Sequence, residues 1–273
     1  MKEILCSTGA IIGGANKRYY KILDEFSKKL SCDGFELMIY RAWYENIEDV
    51  VDDIRKMSLN IPVIHCDKHI GEMISIYEEG NLESAISLFE INCQVAADIG
   101  ASKMVMHLWG GLPSDQNIKN NISTFAILDK IAKKHGIILT VENVVCNREE
   151  PMSHLLELYK TYPDIAFTLD TKMAAFHNQI DMIYEKEWSW MWEGGHIKHL
   201  HINDYKGGYK DWQNLKTLHI GEGKVDFDKF FNFVNEVEYS GDFTIEATSF
   251  NKDGEVDFDK INNSINIIKS YIS

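Results

Sequence analysis

The sequence predicts an α/β protein folded as a single (β/α)8 TIM barrel, and three observations carry that expectation. Apolar runs of strand length alternate with longer amphipathic stretches from one end of the chain to the other, and eight such pairs can be counted. The 273 residues then give about 34 per unit, room for a strand, a helix and two loops. No linker, low-complexity tract or shift of composition divides the chain, so one domain is expected over residues 1–273. A doubly wound sheet would be expected to carry a glycine-rich nucleotide turn, and Gly9, Gly13 and Gly14 do not make G-x-G-x-x-G.

Strands are expected at 3–7, 34–39, 61–66, 103–108, 137–143, 166–170, 197–203 and 243–247. Helices are expected between them, at 17–30, 47–57, 82–99, 115–135, 152–159, 173–192, 227–237 and 258–271. In the third of these, Ala85, Ile86, Phe89, Cys93, Ala96 and Ala97 recur at the three-to-four spacing of a helix covering a sheet. Asn81 and Ser114 are placed to cap helix N-termini. Gly100 and Gly136 are placed to end helices just before strands, where a left-handed residue is wanted.

Charge excludes several classes of partner. Lys and Arg total 28 against 42 Asp and Glu, a net charge of −14, and the sequence pI is near 5.1. Such a surface repels phosphate backbones, and no dense basic run offers a local exception, so neither nucleic acid nor an anionic membrane is expected as partner. No window approaches the roughly 18 apolar residues of a membrane-spanning helix. The apolar stretch at the N-terminus is broken by Ser7, Thr8 and Gly9 and reads as a first strand, not a signal peptide. Five cysteines, at 6, 32, 66, 93 and 146, form no C-x-x-C pair and read as reduced, mostly buried thiols of a cytoplasmic protein.

In a barrel, side chains pointing inward near the C-terminal ends of strands line the active site. Alternation along a strand puts each on the face of the residue two before it. The candidates are Glu36, His65, His107, Glu142, Asp170, His201 and Glu246, so seven of the eight strands carry an ionisable group there. Any one alone reads as a cap or a satisfied core residue. Together, Glu142 in LTVEN, Asp170 in FTLD, His201 in HLHIND and Glu246 in TIEAT converge from the fifth to eighth strands on one mouth. Three carboxylates gathered there repel one another, and burial raises the cost of ionising them, so either protons are shared or a cation is bound. Three oxygen donors and one imidazole suit a divalent ion, Mn²⁺ first, with Mg²⁺, Co²⁺ or Zn²⁺ as alternatives. A structural zinc site would want thiolates, and no cysteine cluster supplies them.

These residues resemble the xylose isomerase-like TIM-barrel superfamily of sugar phosphate isomerases and epimerases, related to tagatose and psicose epimerases, hydroxypyruvate isomerase, inosose dehydratase and endonuclease IV. The likeness rests on VEN at 141–143, LDTKMA at 169–174, HLHIND at 199–204, IGEG at 220–223 followed by Asp226, and the IE of the eighth strand. It implies that Glu142, Asp170, His201 and Glu246 are the metal ligands and that Glu142 and Glu246 transfer protons. It also implies that His65 and His107 line the site, as their equivalents bind further metals in the nuclease branch. Many members carry D-x-x-H on the sixth strand, whereas here the third residue after Asp170 is Met173. His177 would replace that imidazole only if its loop turned back. The departure weakens an abasic-site phosphodiesterase reading and leaves a mononuclear site intact.

The expected function is therefore a divalent-metal-dependent isomerase or epimerase of a sugar or sugar phosphate, working through a cis-enediolate with Glu142 and Glu246 as acid and base. An endonuclease IV-like phosphodiesterase, a dehydratase acting on the same enediolate, and a non-catalytic sugar-binding barrel are the alternatives. Glu36 is expected either to bond sugar hydroxyls or to cap a loop, and His199 to lie one layer deeper than His201. Asp204 would orient His201 or cap the next segment. Trp109, in HLWGG, would stack on a sugar face or pack at the rim, and Arg148 and Lys172 are the cations nearest to hand for phosphate or hydroxyl. The aromatic run 188–192 is expected to cover the site or to form a subunit contact, consistent with a homodimer.

Overall fold

Eight short parallel strands pair each with the next and the last with the first, closing a barrel. They are β1 Ile4–Ser7, β2 Gly34–Met38, β3 Val63–His65, β4 Lys103–Met106, β5 Ile138–Glu142, β6 Ala166–Asp170, β7 Ile197–His201 and β8 Asp242–Ile245. Closure sets Ile4 opposite Phe243, Leu5 opposite Thr244 and Cys6 opposite Ile245. The structure is a computed structural model and describes residues 2–272. The helices are α1 Leu23–Phe26, α2 Ile47–Lys56, α3 Lys68–Ile76, α4 Asn81–Ile99, α5 Ile118–Lys134, α6 Pro151–Thr161, α7 Thr171–Phe176, α8 Trp190–Glu193, α9 Phe227–Glu236 and α10 Phe258–Ile272. The eight expected strands are all present, and the architecture is the (β/α)8 barrel the alternation predicts.

Strand alternation sorts the side chains into two environments. Outward residues such as Ile4, Cys6, Leu37, Ile64, Met104, Leu139, Phe167, Leu200 and Phe243 join one large apolar layer between sheet and helices. Inward residues are mostly polar, with Leu5, Val63 and Val105 forming a small separate apolar cluster. Below it, Lys103 bonds Asp242 at 3.0 Å and the Lys198 carbonyl at 2.9 Å. Thr140 and Thr168 share a bond of 2.7 Å across β5 and β6. A polar interior is tolerable because each of these groups is paired.

Several helix boundaries depart from expectation, each for a local reason. Residues 17–30 do not form one helix: Lys17 and Arg18 both take the left-handed region at φ 54°, and from Tyr20 the chain runs as 3-10 turns on either side of the four-residue α1. The expected helix 173–192 ends at Phe176, where Asn178 at φ 53° turns the chain, and continues as short 3-10 turns before α8. Ser114 does not cap α5: its hydroxyl donates to the Val145 carbonyl and the helix begins four residues later. Asn81 is the first residue of α4, after Gly80, and not its cap. Gly100 and Gly136 do adopt left-handed φ, 88° and 74°, as their positions require. The sequence reading placed no helix at α3, which Asp67 caps by accepting from the His69 N–H.

The run 188–192 neither covers the mouth nor stands free. Trp190 stacks on Tyr159 of α6 at 4.2 Å, and Trp192 packs edge-on against Phe233 of α9 and against Tyr239, so the run belongs to the helical layer. All five cysteines are free, Cys32 half-buried and the others buried. Among the described residues no helix is long and apolar enough to cross a membrane.

Candidate metal centre

Glu142 is the last residue of β5, Asp170 of β6 and His201 of β7, and Glu246 follows β8 directly. Register sets Asp170 beside His201 and His201 beside Thr244. One donor atom from each of Glu142, Asp170, His201 and Glu246 lies within 4.8 Å of the others. His201 Nδ1 is the common neighbour, 3.1 Å from Glu142 Oε1 and 3.3 Å from Glu246 Oε2. Glu142, Asp170 and His201 are buried, while the Glu246 side chain keeps 11% of its surface toward the mouth.

Second partners fix each of these groups. Glu36, buried on β2, accepts from His201 Nε2 at 3.0 Å and lies 2.8 Å from His199 Nε2, which also meets Thr244 Oγ1 at 2.9 Å. A carboxylate on Nε2 selects the tautomer in which Nδ1 faces the other acids. Glu36 Oε2 thus braces His201 and His199 while its Oε1 is buried and unpaired, and His199 lies one layer deeper, as expected. Asn203 Nδ2 donates to both Asp170 Oδ2 at 2.9 Å and Glu246 Oε2 at 3.0 Å, bridging two acids. Asn143 clamps β5 to β6, accepting the Asp170 N–H and donating to the Asp170 carbonyl. Asp170 Oδ1 accepts the Met173 N–H, so Met173 meets this acid through its backbone.

Burial and the neighbouring charges act against one another throughout this cluster. Burial first, then the charges of Glu142 and Glu246, push Asp170 up to about 6, with Lys172 pulling the other way. Burial works against charge on His201, but Glu246, Glu36 and Glu142 outweigh it and hold the imidazole well above its ordinary range. Burial likewise disfavours the Glu142 carboxylate, and His107 and His201 beside it reverse that and keep it ionised. A proton on His201 serves here as the counter-charge that a divalent ion would supply.

Donor geometry fits such an ion. Glu142 Oε2, buried, has no aligned donor, although His107 Nε2 stands 2.8 Å away. His65 donates Nδ1–H to the Cys66 carbonyl at 2.9 Å, which leaves Nε2 bare, 3.6 Å from Glu142 Oε2. Burial drops His107 to about 4, with Glu142 pulling the other way. Three carboxylates and the His201 imidazole, once its proton is given up, form a set of the type that holds divalent cations.

The remaining sequence candidates divide. Lys172 is buried behind Asp170 with Nζ 3.0 Å from Thr217 Oγ1. Arg148 is exposed, and its backbone N–H donates to Asp115. Trp109 has no exposed surface: its indole N–H donates to the Val144 carbonyl and its ring packs on His154, so it is core. His177 bonds Glu150 and accepts the Cys146 N–H, and does not join His201 and its three acids. Asp204 accepts the N–H groups of Tyr205, Gly221, Gly223 and Val225, so it caps the IGEG loop and leaves His201 to Glu36. Sequence reasoning missed Asn203, although alternation along β7 puts it on the face of His199 and His201; the search for ionisable groups passed over an amide.

Comparison with known proteins agrees with this fold. No curated protein matches the sequence significantly. Among solved structures, a D-tagatose 3-epimerase-like protein superposes with a TM-score of 0.70 at 20% identity, over 99% of this chain and 97% of the other. The D-allulose 3-epimerase of Methylomonas sp., in complex with D-allulose, gives 0.67 at 18% identity, over 99% and 97%. The IOLI protein with a bound zinc atom gives 0.66 at 14% identity, over 98% and 96%. At such identities these likenesses establish the shared fold. A family model described as xylose isomerase-like TIM barrel matches residues 25–269, and the chain therefore belongs to the xylose isomerase-like TIM-barrel family.

Proposed function

We propose that this protein is a divalent-metal-dependent isomerase or epimerase acting on a sugar or sugar phosphate. The observation that carries the reading is the convergence of Glu142, Asp170, His201 and Glu246 within 4.8 Å at the C-terminal mouth of the barrel. Its epimerase neighbours, one of them holding D-allulose, support the substrate class. Those four residues would hold the cation, Mn²⁺ first, and a cation there supplies Lewis acidity that makes the C–H beside a sugar carbonyl acidic.

The chain's own groups do the rest. Glu142, ionised and braced by His201 and His107, takes a proton from carbon, and Glu246, at the more open edge of the site and carrying a proton drawn from solvent, returns one, after which Glu142 releases its proton to solvent; in the reverse direction the roles exchange. Return to the opposite face of the same carbon gives epimerisation, and return to the neighbouring carbon gives isomerisation. Asn203 holds Glu246 and Asp170 in place, and Glu36 holds His201.

A second reading, a phosphodiesterase, draws on His65 and His107 beside Glu142. It is opposed by Met173 in place of a histidine and by the −14 charge. One experiment separates them: turnover of ketoses in D₂O after chelation and Mn²⁺ reloading. The account expects no activity while chelated, recovery with Mn²⁺, and deuterium at carbon in the product. Deuterium-free product would refute the proton-transfer roles, and cleavage of abasic DNA without ketose turnover would establish the second reading.

A further inference from the structure

Two of the chain's four arginines face one cavity next to the candidate metal centre. This cavity, about 280 Å³, is lined by Arg18, Arg41 and Lys68, together with Met38, Tyr40 and Asp67. The three cations follow three different strands, β1, β2 and β3, with Lys68 the first residue of α3, so it is closure of the barrel that gathers them at its C-terminal face. Met38 pairs in register with His65, so the cavity and the metal centre share a wall. The Lys68 charge also acts at Glu246 and at His107, as its nearness to the centre requires.

These cations are held in reserve. With 42 acidic residues to 28 basic ones, most cations have a carboxylate to hand. Yet Arg18 lies over the Tyr40 ring at 5.4 Å, Arg41 Nη1 donates to His69 Nε2 at 3.3 Å, and among the described residues no ion pair engages either of them or Lys68. All three are exposed. Asp67 is the one carboxylate of the lining, set against three cations; its Oδ1 accepts the His69 N–H, and its Oδ2 is buried and unpaired. A carboxylate on a ligand would be matched by a single guanidinium; two guanidinium groups and an ammonium match the nearly doubled charge and three acceptor oxygens of a phosphate monoester.

We propose that Arg18, Arg41 and Lys68 form an anion subsite that receives a phosphate on the terminal carbon of the sugar, so that the substrate is a ketose phosphate in preference to the free sugar. The proposal rests on the isomerase or epimerase reading of the neighbouring centre and narrows its substrate class. Substrate would bridge two charged anchors, the metal centre at its carbonyl end and the subsite at its tail, which fixes the reacting carbon relative to Glu142 and Glu246.

The test compares ketopentoses and ketohexoses, each free and as its terminal phosphate, on the Mn²⁺-loaded full chain, for wild type, Arg18→Ala, Arg41→Ala and the double variant. The phosphate is expected to raise kcat/KM about 100-fold over the free sugar, chiefly through KM. Each single substitution should cut that ratio about 10-fold, the double should bring it near one, and Arg41→Lys should recover part of it. A wild-type ratio near one, or a ratio indifferent to both substitutions, overturns the subsite while turnover itself leaves the isomerase or epimerase reading standing. If no sugar turns over, that reading fails instead, and calorimetric titration of the chelator-treated protein with inorganic phosphate decides the subsite. Binding weakened at least 10-fold in the double variant supports it, and equal or absent binding overturns it.

Discussion

Glu142 and Glu246 share a neighbour in His201 Nδ1 yet sit in different surroundings, one fully enclosed and one partly open. Replacing either by Gln removes a proton carrier, and kcat is expected to fall by roughly 10²–10⁴; steady-state kinetics with metal in excess checks this, and a loss below tenfold would remove the residue from the mechanism. Glu36 acts at one remove. Glu36→Gln takes the carboxylate from His201 Nε2, and Mn²⁺ affinity should weaken by roughly 10–100-fold in a calorimetric titration, with unchanged affinity counting against its orienting role. All four proposed ligands were legible in the sequence because each stands at the inward-facing end of an apolar run. The partner of His201 was not, because Glu36 reaches it across the barrel, a pairing that no spacing along the chain encodes.

At the level of elements, the strands were read with little error because a period of two survives even in runs of three to five residues. Helices fared worse where left-handed residues, Lys17 and Arg18 or Asn178, break an otherwise helical pattern. Two contacts between elements carry predictions. Gly71 of α3 lies so close to the His107 carbonyl that any side chain there would collide with backbone. Gly71→Ala should cost about 3 kcal/mol, the upper end of overpacking penalties, and lower Tm by roughly 6–12 °C; an unshifted melting curve would refute the close approach. Asp115 ties the loop after β5, accepting from the N–H groups of Asn147, Arg148 and Glu149 and pairing with His154. Burial opposes its charge, but those donors prevail and hold it at about 2, below its ordinary value near 3.8. A depressed carboxylate adds stability above its unfolded value and loses it as pH falls toward the folded one. Asp115→Asn should therefore be less stable than wild type at neutral pH, and the gap should close between about pH 4 and 2. Denaturant midpoints across that range measure it, and a gap that stays constant would assign the loss to something other than the ionised carboxylate.

On the scale of the whole molecule, the barrel separates two tasks. The outer apolar layer supplies the stability, and the inner face is given over to paired polar groups that stack from Lys103 and Asp242 at one end to the acid cluster at the other. Such an interior costs hydrophobic burial and is retained only where the polar groups are satisfied or where something binds them. At the mouth, a shared proton on His201 offsets part of the charge, and bare lone pairs on Glu142 and His65 remain. The account therefore stands on one bound cation. Crystals grown with Mn²⁺ and measured at the manganese absorption edge should give one anomalous peak per chain, within coordination distance of Glu142, Asp170, His201 and Glu246. No peak there, or a peak held by other residues, would contradict it.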